Sequence, residues 1–282
     1  MREFGAVAAS PGSLLSRPRR RGASSAALVL LLLAAGDLLG GGPTGTRKRR
    51  PLPDEFGRVV MDNLSEKGKV APVVFEHWSH RMRFTCRVCH VDIGFAMQAN
   101  ATMVREEDNR RGYFCGSCHN GKLAFGPQAK DPYGKDDPSC ERCHSQGTGG
   151  TQAGAFEKAV AGFPKGRFGN GVDWDVAEAQ GKLRPVDTVP GVSVSRKPLQ
   201  IPPDADIEAK VASLPDITFS HRKHTTWSGC ELCHPDVFSI KKGSTQYTME
   251  EIFAGRYCGL CHGTVAFPTI DCQRCHTKPV TK

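Results

Sequence analysis

The sequence predicts a mainly irregular chain with short α-helices, laid out as a tandem duplication. Three observations carry that expectation. The chain has 282 residues but is only 39% hydrophobic and 7% aromatic, with 31 glycines and 19 prolines, a poor composition for a conventional side-chain core. All 12 cysteines lie in C-x-x-C-H pentapeptides, of which there are six. The two halves of the chain also repeat one another in order and wording.

The pentapeptides are Cys86-Cys89-His90, Cys115-Cys118-His119, Cys140-Cys143-His144, Cys230-Cys233-His234, Cys258-Cys261-His262 and Cys272-Cys275-His276. This spacing is the attachment signature of haem c. Cysteines three apart put both sulfurs on one side of a helical turn, where they can form thioethers to the two vinyl groups. The histidine one place on shares that face and can reach the iron as proximal ligand. Zinc sites and redox dithiols also use C-x-x-C, but neither requires histidine directly after the second cysteine. A disulfide framework fits poorly, because six identical i, i+3 pairs do not resemble scattered cross-links. The expectation is six covalently bound haem c groups, which supply the apolar interior that the side chains lack.

The first segment, 1–42, reads as an export signal. Arg17, Arg19, Arg20 and Arg21 precede an apolar run over 26–35, which suits a signal-peptide core and falls short of the roughly twenty residues of a spanning helix. Small residues at Gly36 and Gly40 to Gly42 offer a cleavage region; an uncleaved N-terminal anchor is the alternative. The formal charge of +9 belongs mostly to this region, since residues 1–50 hold nine Lys or Arg against Glu3 and Asp37. The remainder is nearly balanced and would gain haem propionates, so the basic pI does not point to nucleic acid.

The duplication sets the domain plan. VVFEHWSHRMRFTCRVCH from Val73 answers ITFSHRKHTTWSGCELCH from Ile217, YFCGSCHNGKLAF from Tyr113 answers RYCGLCHGTVAF from Arg256, and CERCH answers CQRCH. The expected units are a helical lead-in at 54–74, a trihaem module at 75–144, a linker at 145–216 carrying a second lead-in at 168–185, and a second trihaem module at 217–282. The lead-ins match as Phe56-Gly57 through Pro72 and Phe168-Gly169 through Pro185, with Met61 and Trp174 in equivalent places. In both, a helical stretch should end at a glycine, Gly68 or Gly181. The stretch 145–154 reads as a flexible linker, and the Pro-rich 186–215 as a second connector. Modules this short need staples, which thioethers and iron–histidine bonds would supply.

Six haems have twelve axial positions, and the motif histidines fill half. The only other histidines are His77, His80, His221 and His224, two H-x-x-H pairs at matched places before each first motif, which suits distal ligation. One iron per module then lacks a histidine. Met103 and Met249 are the preferred donors, because Ala101-Thr102-Met103 and Tyr247-Thr248-Met249 read as equivalent phrases. The alternative is that both methionines pack against a porphyrin and the third iron is open or takes another donor. Thr248 and Glu251 form a capping-box pattern, so a short helix should begin at Met249.

The phrase F-x-H-x-x-H before three C-x-x-C-H motifs resembles the trihaem cytochrome c7 group of the cytochrome c3 class, over residues 75–144 and 219–276. The resemblance implies a haem-cored fold and a bacterial periplasmic electron carrier, often of anaerobic or metal-respiring organisms. It also implies that His77 pairs with His90, His80 with His119 and Met103 with His144. In the second module His221 would pair with His234, His224 with His262 and Met249 with His276. Four bis-histidine sites of low potential and two His/Met sites of higher potential would then relay electrons between an inner-membrane donor and a periplasmic or outer-membrane acceptor. No catalytic residues and no nucleic-acid partner are expected, and membrane association only through the N-terminal segment. The competing readings are a multihaem reductase acting at an open third iron, and a subunit of an extracellular haem conduit.

Overall fold

The structure is a computed structural model that describes residues 51–126, 129–130, 136–137, 140–145, 154–197, 199–211 and 213–280. The expected export signal at 1–42 lies outside the described residues, as does nearly all of the expected linker at 145–154. Among the described residues no helix is long and apolar enough to cross a membrane.

Among the described residues regular structure is short throughout, as the Gly and Pro content demands. β1 (Arg58–Met61) leads into α1 (Ser65–Gly68) and returns as β2 (Val73–Glu76). The two strands pair antiparallel, Arg58 opposite Glu76 and Met61 opposite Val73, and an Arg58–Glu76 ion pair of 3.0 Å closes the ladder. α2 (His77–Arg81) follows directly, then a π-helical turn over Val88–Ile93, α3 (Glu106–Arg110) and a 3-10 turn at Phe114–Ser117. The two-residue strands β3 (Ala129–Lys130) and β4 (Asp136–Asp137) precede α4 (Cys140–Cys143).

The second half copies the first. β5 (Ala205–Ile207) pairs antiparallel with β6 (Ile217–Phe219), and an α-helix over His221–Ser228 follows. Beyond it come a helix over Met249–Phe253, a 3-10 turn at Tyr257–Leu260 and a last helix over Cys272–Cys275. The helix at Met249 carries the expected capping box in full, with Thr248 Oγ1 accepting from the Glu251 N–H and Glu251 reaching back to the Thr248 N–H.

Between the halves runs a connector that contains α5 (Ala155–Ala159) and α6 (Trp174–Ala179). It holds most of the side-chain core. Phe156, Val160 and Val172 are buried against Trp78 of α2, with Met82, Phe163 and Trp174 packed around them. The Trp78 and Phe156 rings meet edge to face at 5.3 Å. Val186 then adds to the first module through Thr85 N–H→Val186 O (3.0 Å) and Val186 N–H→Arg83 O (2.8 Å).

α1 ends at Gly68 as expected, with Lys69 as its left-handed cap (φ 51°), and Gly181 takes that conformation after α6 (φ 68°). One detail departs from the sequence reading. The strand-and-loop that precedes the second module is 203–215, which carries β5. The segment 168–185 instead forms α6 and packs at the first module, so its verbal likeness to Phe56 through Pro72 does not reflect an equivalent place.

Candidate haem-binding sites

Each attachment motif is wound into one tight turn. The histidine N–H donates to the carbonyl of the first cysteine in five of them: His119 to Cys115 (2.8 Å), His144 to Cys140 (2.8 Å), His234 to Cys230 (3.0 Å), His262 to Cys258 (3.0 Å) and His276 to Cys272 (2.9 Å). The first motif is itself helical from Cys86 and continues into the π-helical turn. Glycine inside the second and fifth motifs lets a helix lie on the turn. A Cβ on Gly116 would stand 1.9 Å from the Asn109 carbonyl oxygen, and one on Gly259 1.9 Å from that of Ile252.

None of the twelve cysteines is paired in a disulfide. Burial pushes Cys89 and Cys261 up to about 12, and Cys115 and Cys258 to about 11. A redox dithiol needs the opposite shift, a stabilised thiolate. Among the described residues no three His, Cys, Asp or Glu converge as a closed zinc site would require. The turns present sulfur pairs at the spacing that thioether attachment needs.

All ten histidines of the chain are tethered the same way, Nδ1 to a main-chain carbonyl. In the motifs the acceptors are Phe95 O for His90 (2.9 Å), Phe125 O for His119 (3.0 Å), Ala71 O for His144 (2.8 Å), Phe238 O for His234 (2.6 Å), Phe267 O for His262 (3.0 Å) and Pro215 O for His276 (2.7 Å). The other four use Gly57 O for His77 (2.6 Å), Glu76 O for His80 (3.3 Å), Pro203 O for His221 (2.8 Å) and Ser220 O for His224 (2.8 Å). A carbonyl can only accept, so Nδ1 carries the proton and Nε2 keeps its lone pair for a metal. Burial reinforces the neutral form, lowering His77, His80 and His262 to about 4 and also lowering His90, His119 and His224.

Three pairs face each other at one separation. Ring centroids lie 6.3 Å apart for His77 and His90, whose planes differ by 5°, and 6.2 Å for both His80–His119 and His224–His262. That is too far for stacking contact. An iron bound by two imidazole nitrogens at about 2 Å each would space the centroids by about 6 Å. The donor set thus fits a haem between each pair. His221 and His234 are tethered like the others, from the carbonyls before β5 and after the fourth motif.

The methionines are placed differently from expectation. The paired bonds Ala96 N–H→Thr102 Oγ1 and Ser239 N–H→Thr245 Oγ1, both 2.8 Å, make Thr102 the counterpart of Thr245. The contacts under Gly116 and Gly259 make Asn109 the counterpart of Ile252. Both fix the same register, in which Met103 matches Gln246 and Met249 matches Glu106. Their apparent equivalence is an error of three residues. Met103 Sδ accepts from Asn63 Nδ2 at 3.0 Å, and Met249 opens its helix; both are about half exposed.

The carbonyl tethers were invisible to sequence reading. Gly57 and Pro203 serve the first H-x-x-H histidine of each module, and Ala71 and Pro215 serve the third motif histidine. The one available signal was the proline that follows Ala71 and that occupies 215.

The family described as Cytochrome c7 and related cytochrome c matches residues 73–145 and 217–277, one match on each module. A c7-type three-heme cytochrome domain is 35% identical over 27% of this chain and 93% of its own length, with a TM-score of 0.25. The C-terminal hexaheme fragment of a dodecaheme cytochrome c is 25% identical over 81% of this chain and 99% of its own (TM-score 0.25). The dodecaheme cytochrome itself is 22% identical over 82% and 75% (TM-score 0.26). No curated protein matches the chain. The chain belongs to the cytochrome c7 family. It is a multihaem c-type cytochrome with a haem-cored, irregular fold, and its role is electron transfer with redox partners.

Proposed function

We propose that this protein is a hexahaem electron carrier that works in the periplasm, in anaerobic respiration, between an inner-membrane donor and a periplasmic or outer-membrane acceptor. The observation that carries the reading is the common state of the ten histidines. Each is tethered through Nδ1 to a main-chain carbonyl, which leaves Nε2 for a metal, and three pairs are spaced for an iron between them. Haem iron, when bound, supplies the one-electron chemistry. The chain's part is to fix ligand, tautomer and spacing.

In this reading Cys86, Cys89, Cys115, Cys118, Cys140, Cys143, Cys230, Cys233, Cys258, Cys261, Cys272 and Cys275 bind six haems. His77 serves the iron of His90, His80 that of His119, His221 that of His234 and His224 that of His262. Met103 and Met249 are proposed for the irons of His144 and His276. Because the two methionines stand three places out of register, the two third sites should differ in potential. The export step rests on the leader at 1–42.

The test is made on protein purified from a host that matures c-type cytochromes. The mass should exceed the processed polypeptide by six haems that resist acid–acetone extraction, and N-terminal sequencing should begin after residue 36. Fewer haems, or zinc in their place, would sink the reading. High-spin haem that binds nitrite or carbon monoxide would put a reductase first. Alanine at Met103 or Met249 should each remove part of the near-infrared thioether-to-iron band.

A further inference from the structure

We propose that the attachment site of Cys86, Cys89 and His90 is the point at which the two modules exchange electrons, and that Arg81 is the residue that positions this junction. The proposal rests on the haem reading above and goes beyond it by choosing one site of six.

The first motif is gripped by the second module on two flanks. On one, Arg81 reaches across from α2 and its Nη1 donates to the Val265 carbonyl (2.6 Å), three residues past His262. Its guanidinium lies 4.6 Å from the Trp174 ring centre and 5.4 Å from that of Trp227. Trp227 is itself held by Nε1–H→Glu178 Oε2 (2.8 Å). Gly57, whose carbonyl tethers His77, abuts the same loop. A Cβ there would meet Thr264 O at 3.5 Å and Val265 Cγ1 at 3.6 Å. So the fifth motif's loop touches both Arg81 and the tether of the first site's distal histidine.

On the other flank Arg87, which sits between Cys86 and Cys89, lies on Gly229, the residue before Cys230. A Cβ on Gly229 would come within 2.7 Å of Arg87 Cδ, so the two motifs approach as closely as glycine allows. Arg196 ties the same pair by ionic contact. It bonds Asp92, two residues past His90, and Glu231, inside the fourth motif, the latter at 2.7 Å. Asp92 has a fully buried side chain, with Arg87 also 3.8 Å away.

Arginine suits this junction because it stays charged in a part-buried place and its flat face stacks on indole rings. A fixed positive charge favours the reduced, less positive form of any site beside it. The exchange moves one electron between two sites of the same kind, one oxidised as the other is reduced, so no further reactant is required.

The experiment uses the full-length holoprotein, with haem content measured on every sample. In the wild type, nuclear Overhauser contacts should link substituents of the haem at the first motif to haems at the fourth or fifth. Their absence would overturn the proposal without any variant. In Arg81→Met the reduction equilibrium constants of the sites at the first and fifth motifs should fall about threefold to tenfold, the upper end being ~59 mV for a one-electron couple. Arg81→Lys should restore most of that fall. Six unmoved potentials, a uniform shift of all six, or a Lys variant that behaves as the Met variant would each defeat the assignment. Samples that carry fewer than six haems in the wild type would instead defeat the reading on which it rests.

Discussion

The two modules share a plan but are held together differently. The helix after β2 buries Trp78 in a side-chain cluster, whereas the equivalent helix over His221–Ser228 buries none of its eight residues. Of the buried apolar residues, Trp78, Val88, Phe156, Val160, Val172, Ala177, Leu183 and Val189 belong to the first module or the connector laid on it. Among the described residues only Ala209, in the loop that leads into the second module, and Ile252 belong to the second module. The second module is fastened instead by polar contacts to that connector, Lys223–Asp175 (2.7 Å) and Arg274–Asp173 (2.7 Å). The same frame can therefore rest on a polypeptide core or be tied down by a few charged contacts.

The largest expected effect sharpens this contrast. Trp78→Ala should cost the haem-loaded protein about 3–5 kcal/mol, the range for an aromatic side chain removed from a core. It also removes the indole donor to Glu76 Oε2 (3.0 Å). Trp227→Ala, at a part-exposed indole in the second module, should cost about 1–2 kcal/mol. Denaturant unfolding followed by far-ultraviolet circular dichroism measures both. Equal losses would break the comparison.

A middle-sized effect tests what the modules have in common. Gly116→Ala and Gly259→Ala each drive a methyl into a helix carbonyl that cannot rotate away, at 1.9 Å in both cases. Each should cost about 1–3 kcal/mol. Similar losses in the same unfolding assay would show that the turn-on-helix packing is independent of the surrounding core. A much larger loss at Gly259 would mean that the second module lacks reserve.

Most of the haem chemistry was legible in the sequence, because it is local. Five residues specify an attachment turn, three places separate the histidines of each H-x-x-H pair, and Thr248 with Glu251 specifies a helix start. The connector's role was not legible. Phe156, Val160 and Val172 become a core only through Trp78, which is 78 to 94 residues earlier, and nothing in their spacing names that partner. Verbal likeness misled twice for one reason. Thr-Met at 102–103 resembles Thr-Met at 248–249, and Phe-Gly at 56–57 resembles Phe-Gly at 168–169. Position in the fold is fixed instead by which carbonyl or hydroxyl completes a hydrogen bond. Thr102 aligns with Thr245, and Gly57 with Pro203, on that ground alone.

The smallest effect concerns the charge that ties the sixth motif to the connector. Asp173 takes Arg274 through two oxygens, at 2.7 and 3.3 Å, and its Oδ1 also accepts the Val176 N–H at the start of α6. The Arg274 hydrogen bond holds its carboxyl below the ordinary 3.8. A depressed carboxyl stabilises the fold at every pH above its unfolded value and loses that contribution as pH falls through the folded one. Asp173→Asn keeps a good helix cap and removes only the charge. At neutral pH the variant should therefore be less stable by about 0.5–1 kcal/mol, the range of a solvent-screened pair. The deficit should shrink as pH drops below 3.8 and close once Asp173 is protonated in the folded state. In the first module the matching Arg142 lies over the Phe125 ring at 3.6 Å, so its motif should keep its amide protection in the Asn variant. Hydrogen exchange that loosened the third motif as much as the sixth would show that the connector couples both modules, and would erase the difference between them.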